Sequence, residues 1–428
     1  MLKVILKIIT FPARKAKGLV RRLDELIRIR RQWQKNKELV NACKEHECLR
    51  VVFLVVHAST WKLDIVFDLM LKDPKFDPVI LVIPYTVYGK SQMMHELEQA
   101  YNFFEQKGFP VILSHNAESN TWLNVKDSLK PDLLFFTNPH PLTEKEYYIT
   151  NFSDTLSCYV PYAFMADAKY KMQYDQLFHN LTWCNFYETS IHKSLAQKYS
   201  RIKGENVVVS GFPGNDIFID KNHTPKDPWA PRSRFKKRII WAPHHFMNEG
   251  PRSANFLDYS DTMLKIAELY KDVIQFAFKP HPILRPKLYT YPEWGKEKTD
   301  AYFQAWDQKE NRILEEGPYA DLFLTSDALV HDCGSFITEY NFMNKPSLFM
   351  ISRHNKMDDF NEYGIQALEV LYKSRTYEEL IAFIDNVVIG ERDTLQEPRN
   401  AFVEHVVIPK KGSTASQNIV NYLKSTLG

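Results

Sequence analysis

The chain has 428 residues, which is long for a single domain and favours two domains of ordinary size. Its 44% hydrophobic and 14% aromatic residues are typical of a globular protein and exclude extensive disorder. The formal net charge of +3 is too small to indicate a nucleic-acid partner, and no run of roughly 18 or more apolar residues would span a bilayer.

Residues 1–48 are predicted to form a basic amphipathic arm of one or two helices, broken near Pro12. Lys3 and Lys7 interrupt its apolar start and no small-residue cleavage site follows, so we do not interpret it as a signal peptide. Lying flat, the arm would bury apolar residues at the lipid interface while its cations meet anionic head groups. We therefore expect peripheral attachment to the inner face of the cell membrane. The alternative is a solvated helix that packs on the first domain or on a partner chain.

Short apolar runs alternate with helical stretches over residues 49–222, which predicts a parallel sheet covered on both faces. The predicted strands are 51–56, 78–83, 110–113, 132–136, 185–187 and 206–210. The predicted helices are 62–71, 90–106 and 191–199. The series breaks in the proline-rich and charged stretch 221–234, so residues 223–236 are the predicted linker.

A second α/β series occupies residues 237–410 and precedes a predicted C-terminal helix in 411–428. Its predicted strands are 238–241, 274–278, 321–324, 328–330 and 347–350, and its helices are 255–270 and 336–342. The sequence thus predicts an α/β protein with two doubly wound, Rossmann-like domains. Such domains face each other across a cleft at the carboxyl ends of their strands, where ligands bind.

The cysteines give no sign of a metal or disulfide framework. No C-x-x-C pair and no ligand-like cluster occurs among Cys43, Cys48, Cys158, Cys184 and Cys333. We therefore predict no metal and no cofactor, and a reducing, cytoplasmic location.

The first polar loop follows predicted strand 51–56 and contains His57. An imidazole has an unperturbed pKa near 6.5, so His57 is a candidate general base in the acceptor-facing domain. The alternative is a histidine that only packs or caps at a strand end.

Lys279 and His281 end predicted strand 274–278, and prolines flank His281 on both sides. A cation and an imidazole held there can neutralise the charge that develops on a departing phosphate. A generic loop histidine is the alternative. His244 and His245 follow strand 238–241, and we interpret His244 as lining of the donor site because no third metal ligand lies at a telling spacing.

The fourth segment runs from Ser326 to Glu339 as a strand, a small-residue turn and a helix. Gly334 permits close backbone approach, and Ser335 with the first free N–H groups of the helix can bind a diphosphate. Ser326 and Asp332 are further candidates for donor binding. Capping of a helix by Asp332 or Ser335 alone is the alternative.

These segments together resemble the CDP-glycerol glycerophosphotransferase family, which makes teichoic-acid-like and capsular polyol-phosphate polymers and has a GT-B fold. The matching motifs are G-F-P-G-N-D at 211–216 for the family's G-Y-P-R-N-D, W-A-P-H at 241–244, K-P-H-P at 279–282, S-D-A-L-V-H-D-C-G-S at 326–335 for A-D-x-L-I-T-D-Y-S-S, and K-P at 345–346. The likeness covers roughly residues 51–367. The chain lacks the family's W-H-G-T motif, having C-Y-V-P-Y-A-F at 158–164, and Gly214 replaces the family's arginine.

The resemblance implies an essential site histidine at His281, a diphosphate cradle at Gly334 and Ser335, and a counterpart of a functional aspartate at Glu339. It implies a transferase that moves a polyol phosphate from a CDP-linked donor to a glycan or lipid-linked acceptor. His57, or a residue near Tyr162, would take the acceptor proton. The alternatives are a GT-B glycosyltransferase that uses an NDP-sugar and a membrane-bound scaffold with a degenerate site.

Overall fold

The structure is a computed structural model that describes residues 2–87, 89–229, 235–247, 254–307, 309–352, 359–408 and 412–428. Within the first helix it describes the side chains of residue 20 and of residues from 22 onward. The predicted linker and the loop after the first strand of the second sheet lie partly outside these residues.

The N-terminal half contains a seven-stranded, fully parallel sheet in the order β3-β2-β1-β6-β7-β8-β9. Its strands, with the antiparallel hairpin β4-β5, are β1 (Leu49–Val55), β2 (Phe76–Val82), β3 (Val111–Leu113), β4 (His115–Asn116), β5 (Thr121–Trp122), β6 (Leu133–Phe136), β7 (Leu156–Tyr159), β8 (Cys184–Tyr187) and β9 (Val207–Val209). The central strand β1 is a nearly continuous apolar run because both of its faces are covered.

The C-terminal half contains a six-stranded parallel sheet in the order β12-β11-β10-β13-β14-β15. Its strands are β10 (Lys237–Ala242), β11 (Ile274–Phe278), β12 (Arg312–Leu314), β13 (Ala328–His331), β14 (Ser347–Met350) and β15 (Tyr372–Ser374). Each half has its own apolar core, so the predicted pair of doubly wound sheets is confirmed.

Helices cover both faces of the two sheets. The α-helices are α1 (Leu2–Lys44), α2 (Asp64–Leu71), α3 (Lys90–Gln106), α4 (Val125–Leu129), α5 (Tyr170–Tyr174), α6 (Leu177–Leu181), α7 (Ser190–Tyr199), α8 (Phe256–Leu269), α9 (Leu284–Thr290), α10 (Gly295–Ala305), α11 (Ala320–Thr325), α12 (Phe336–Glu339), α13 (Glu362–Glu369), α14 (Tyr377–Ala382), α15 (Gln396–Phe402) and α16 (Ala415–Leu427). Short 3-10 helices are Ala58–Thr60, Lys145–Tyr147, Ile149–Asn151, Pro213–Phe218 and Asn341–Met343, and π-helical segments are Phe383–Ile389 and Val403–Val407.

One predicted strand is wrong. Residues 321–324 belong to helix α11. The strand that pairs with β11 in the sheet is β12, which ends at Leu314, ten residues before the end of the predicted strand. A run as short as D-L-F-L has no periodicity that separates a buried strand from a buried helix, and only pairing with the sheet decides. The strands β7 and β15 were also not predicted.

Helix α1 has a continuous backbone from Leu2 to Lys44, so the predicted break near Pro12 is wrong. Its later part packs on the N-terminal sheet, where Ile29, Gln32 and Cys43 are buried. An exposed apolar stripe precedes that part and comprises Val20, Leu23, Leu26 and Ile27. Among the described residues, no helix combines the length and apolar character that crossing a bilayer requires.

The last helix, α16, returns to the N-terminal half and packs on its core through Ile419, Leu423 and Leu427. Asp216 fixes its start, because its two carboxylate oxygens accept the backbone N–H groups of Ala415 at 3.0 Å and Ser416 at 2.7 Å. The motif at 211–216 therefore has a structural function in anchoring the C-terminal end of the chain.

Candidate active site

A cleft of about 2190 Å³ lies between the two sheets, and loops that follow strands of both sheets line it. We call its two sides the C-terminal wall (residues 242–246, 279–283, 315–319 and 332–339) and the N-terminal wall (57–62, 85, 92–96, 138–142 and 161–167). This is where doubly wound folds bind ligands, because the carboxyl ends of their parallel strands leave free loops there.

Lys279 and His281 lie together in the C-terminal wall after β11. Burial lowers the pKa of Lys279 to about 8, so its amino group is mostly protonated at neutral pH. Burial, together with nearby His245, Lys279 and Lys287, lowers the pKa of His281 to about 3, so its imidazole is neutral. The N–H of Ile283 donates to its Nδ1 at 3.2 Å, which places the ring proton on Nε2. The pair offers one cation and one neutral N–H donor.

His281 also belongs to a cluster with His244 and His245, and one ring nitrogen from each lies within 4.8 Å of the others. Three imidazoles can ligate a transition metal when their ligand nitrogens are unprotonated. A ligand nitrogen must be unprotonated, whereas Nε2 of His281 carries a proton, and Lys279 and Lys287 place positive charge beside this ring. This environment favours an anion over a metal cation.

The turn after β13 positions this wall. Asp332 is half-buried, and its carboxylate accepts the backbone N–H groups of His244 and Asn255, both at 2.6 Å. His331 donates its Nδ1–H to the Cys333 carbonyl at 3.1 Å, and this hydrogen bond stabilises the turn. Asp332 thus holds the loop after β10 in place. It also lines the cleft, and its donor contact stays a prediction.

Gly334 and Ser335 face the cleft at the start of α12. A Cβ at Gly334 would meet only Oδ1 of Asp167 on the opposite wall, at 3.8 Å, so the turn is open to a ligand. Ser335 makes no capping bond, and its hydroxyl contacts Sγ of Cys333 at 3.2 Å. The helix has only 4 residues, much shorter than predicted, so its dipole adds little and the backbone N–H groups and hydroxyl matter more.

Glu339 ends α12 and is fully buried against Tyr319, whose hydroxyl donates to its carboxylate. The same hydroxyl accepts a hydrogen bond from Nζ of Lys62 at 2.9 Å, so the two walls touch here. Burial raises the pKa of Glu339, while Lys62 and Tyr319 lower it. The carboxylate of Glu339 thus bonds to a protein group and also lines the cleft, and its catalytic function stays a prediction.

His57 lies in the N-terminal wall after β1 and has a carboxylate at ion-pair distance. Its Nδ1 is 3.4 Å from an oxygen of Glu96 on α3, and its ring lies 4.5 Å from that of Tyr85. Burial lowers the pKa of His57 and Glu96 raises it, with a net lowering, so the imidazole is neutral at neutral pH. A neutral imidazole with a carboxylate at ion-pair distance is suited to a general base, because the carboxylate stabilises the imidazolium that forms.

Ser326 does not line the cleft, and its predicted donor contact is wrong. It precedes β13 and therefore lies at the amino end of that strand, opposite the cleft. Its buried hydroxyl donates to the Phe323 carbonyl at 3.0 Å and bonds to the Tyr340 hydroxyl at 2.9 Å.

The sequence analysis missed Lys62, Glu96 and Tyr319. Lys62 follows His57 by five residues in the same loop after a strand, so its position was a usable signal. Glu96 lies 39 residues after His57 on a helix, and only the fold brings the two together. Tyr319 was hidden by the wrong strand prediction at 321–324, which placed it at the wrong end of the sheet.

Comparisons with known proteins identify the family and the fold of the chain. A family model described as CDP-Glycerol:Poly(glycerophosphate) glycerophosphotransferase matches residues 168–424, more than half of the chain. At Gly214, where the family pattern has arginine, a Cβ would lie 2.5 Å from the Phe212 ring, so a side chain requires that ring to move.

Two curated relatives match part of the chain. The teichoic acid poly(ribitol-phosphate) polymerase of Bacillus spizizenii is 30% identical over 171 residues, which are 37% of this chain and 24% of that protein. The teichoic acid ribitol-phosphate polymerase TarK of Staphylococcus aureus is 22% identical over 205 residues, or 46% of this chain and 34% of that protein. The chain thus matches about a quarter to a third of the length of these relatives.

Solved structures show the same fold over most of the chain. S. aureus MnaA in a co-structure with UDP has a TM-score of 0.59 at 16% identity and covers 89% of this chain and 97% of its own. The wall teichoic acid polymerase TagF with CDPG has a TM-score of 0.53 at 14% identity, covering 97% of this chain and 98% of its own. The expected GT-B fold is confirmed.

Proposed function

Because the chain belongs to the CDP-glycerol:poly(glycerophosphate) glycerophosphotransferase family, we propose that it transfers a polyol phosphate from a CDP-linked donor to an acceptor hydroxyl. We propose glycerol as the polyol. The acceptor is a surface glycan or a lipid-linked molecule in teichoic-acid-like, capsule or lipopolysaccharide synthesis. The observation that carries this proposal is the anion site of Lys279 and His281 beside the open turn at Gly334.

In this reaction the acceptor oxygen attacks the distal phosphorus of the donor diphosphate. A new P–O bond forms, the bond from that phosphorus to the bridging oxygen breaks, and CMP leaves. Charge grows on the CMP phosphate, and the Lys279 ammonium and the Nε2–H of His281 are positioned to neutralise it. The C-terminal wall, within residues 237–410, is thus the donor side.

The N-terminal wall, within residues 49–222, is the acceptor side. His57 takes the proton of the attacking hydroxyl on Nε2, and Glu96 stabilises the imidazolium that forms. Positioning of the two reactants across the cleft supplies the remaining rate enhancement, as is usual for phosphoryl transfer.

A nucleotide-release panel tests this function. The full chain is incubated with a hydroxyl-bearing acceptor extract and CDP-glycerol, CDP-ribitol or common NDP-sugars. We expect CMP release with one phosphate gained by the acceptor. Release of a nucleoside diphosphate with sugar gained would instead identify an NDP-sugar glycosyltransferase, since the same anion site serves that donor. No turnover with any donor would favour a scaffold.

We further propose that α1 attaches the protein to the inner face of the cell membrane. The stripe of Val20, Leu23, Leu26 and Ile27 is 47–66% exposed, and α1 also carries many lysines and arginines. A truncated protein that lacks residues 1–35 would also lose the buried residues Ile29 and Gln32, which could change its stability. Point variants in the exposed stripe avoid this effect. The double variant Leu23→Glu/Ile27→Glu should lose pelleting with anionic liposomes, whereas Lys126→Glu should not. Equal pelleting of both variants would refute attachment through this stripe.

A further inference from the structure

Lys62 belongs to the N-terminal wall but reaches the C-terminal wall. Its Nζ donates to the Tyr319 hydroxyl at 2.9 Å and lies 4.5 Å from the centroid of the Tyr319 ring. The tyrosine precedes α11 in the other half of the molecule. All of these groups line the cleft, so this contact is a bridge across the candidate active site.

The bridge continues to the helix that follows the open turn. Tyr319 donates its hydroxyl proton to Glu339, which is 1% exposed at the end of α12. Lys62, Tyr319 and Glu339 thus form one hydrogen-bonded chain from the loop after β1 to α12. The loop residue His57, which we propose as the base, precedes Lys62 by five positions.

The charges around this bridge favour an anion. Burial lowers the pKa of Lys62, whereas Glu339 and Asp64 raise it. Lys62 also contributes to the lowered pKa of Lys279, so the two ammonium groups are close enough to repel each other. Besides Glu339, the carboxylates of Asp64, Glu315 and Glu316 attract these cations. A diphosphate bound between the two ammonium groups would remove their mutual repulsion.

We propose that Lys62 is a diphosphate-binding residue that the N-terminal half contributes to the donor site, held in place by Tyr319 and Glu339. The donor is then bound from both walls at once. Because His57 shares the Lys62 loop, donor binding also fixes the base opposite the phosphorus. The proposal rests on the proposed function for the identity of the donor, but not for the binding of a nucleoside diphosphate.

Binding of CDP, CMP and cytidine to the full chain, measured by calorimetry, tests this inference. For Lys62→Met we expect CDP affinity to fall about 30-fold and cytidine affinity to stay unchanged, because a charge-assisted contact to phosphate is lost. Lys62→Arg should recover most of the affinity, and Tyr319→Phe should cost about 3-fold, because the ring remains while the hydroxyl bridge is lost. The matched control is Lys126→Met, which breaks an exposed lysine–carboxylate pair with Asp154 in the same half, away from the cleft.

Three outcomes would overturn the inference. The first is that Lys62→Met binds CDP as tightly as the wild type does. The second is that Lys62→Met loses as much affinity for cytidine as for CDP. The third is that Lys62→Arg recovers no CDP affinity although its melting temperature equals that of the wild type. The same titration with UDP separates this proposal from the proposed function. If the wild type binds UDP and not CDP, the proposal of a CDP-linked donor is wrong, and the UDP affinity of Lys62→Met then tests diphosphate binding by Lys62. If it binds neither, both proposals fail.

Discussion

The two walls of the cleft are built differently. The reactive groups of the C-terminal wall lie in short motifs that each follow a strand. Lys279, His281 and Gly334 line the same cleft because their strands, β11 and β13, flank β10 in the sheet. The N-terminal wall instead pairs a loop residue, His57, with Glu96 on a helix. The family match starts at residue 168, so it includes the first set and excludes the second. We infer that the donor chemistry is the family's and that the acceptor chemistry is set by this chain.

The walls also differ in charge. The C-terminal wall presents an ammonium group and a neutral imidazole N–H, which stabilise negative charge on phosphate. The N-terminal wall presents an imidazole backed by a carboxylate, which accepts a proton. Variants on the two walls should therefore fail in different ways.

The largest effect is expected on the C-terminal wall. His281→Ala should lower kcat about 100- to 1000-fold, because the transition state loses a positioned N–H donor to the departing phosphate. Steady-state kinetics on the donor identified by the release panel would measure this, with melting temperature as the folding check. His405→Ala, an exposed histidine away from the cleft, is the control and should leave kcat unchanged. A loss under about 3-fold would remove His281 from the donor side.

A smaller loss should follow on the N-terminal wall. We expect His57→Gln to lower kcat/KM about 100-fold and Glu96→Gln about 10-fold, because the first removes the base and the second only the carboxylate that stabilises its protonated form. The double variant should be no slower than His57→Gln, because the two residues act as one unit.

The pH profile gives an independent check on this pair. The rate should fall as pH drops through the pKa of His57, because a protonated imidazole cannot accept the proton. Glu96 raises that pKa, so Glu96→Gln should move the acidic limb to lower pH. An unmoved limb together with an additive double variant would assign the base elsewhere.

Most of the sheet framework could be predicted from the sequence, because buried parallel strands are continuous apolar runs such as β1, β11 and β14. The error at α11 came from a run too short to show periodicity. In the site, residues inside motifs were found, whereas Glu96 was not, because its pairing with His57 exists only in the folded chain. Ser326 was misplaced because a motif does not tell which end of a strand faces the cleft.

Charge on the C-terminal wall should give the next effect. Burial lowers the pKa of Lys279 to about 8, so the free protein loses this cation as pH rises through 8. CDP affinity of the wild type should therefore weaken by up to about 10-fold between pH 7 and 9. Lys279→Arg stays charged over this range, so most of that loss should disappear. An identical decline in wild type and Lys279→Arg would show that another group controls it.

The smallest effect on activity is expected where the family motif at 211–216 supports the fold of the N-terminal half. Asp216→Ala leaves the N–H groups of Ala415 and Ser416 without their acceptor, which should lower the free energy of unfolding by about 1–2 kcal/mol. Asp216→Asn keeps one acceptor oxygen and should lose about half as much. Denaturant unfolding would measure both, and kcat of the folded protein should stay within about 2-fold of wild type. A large fall in kcat at unchanged stability would instead show that Asp216 takes part in the reaction. The motif at 211–216 would then have a catalytic function as well as a structural one.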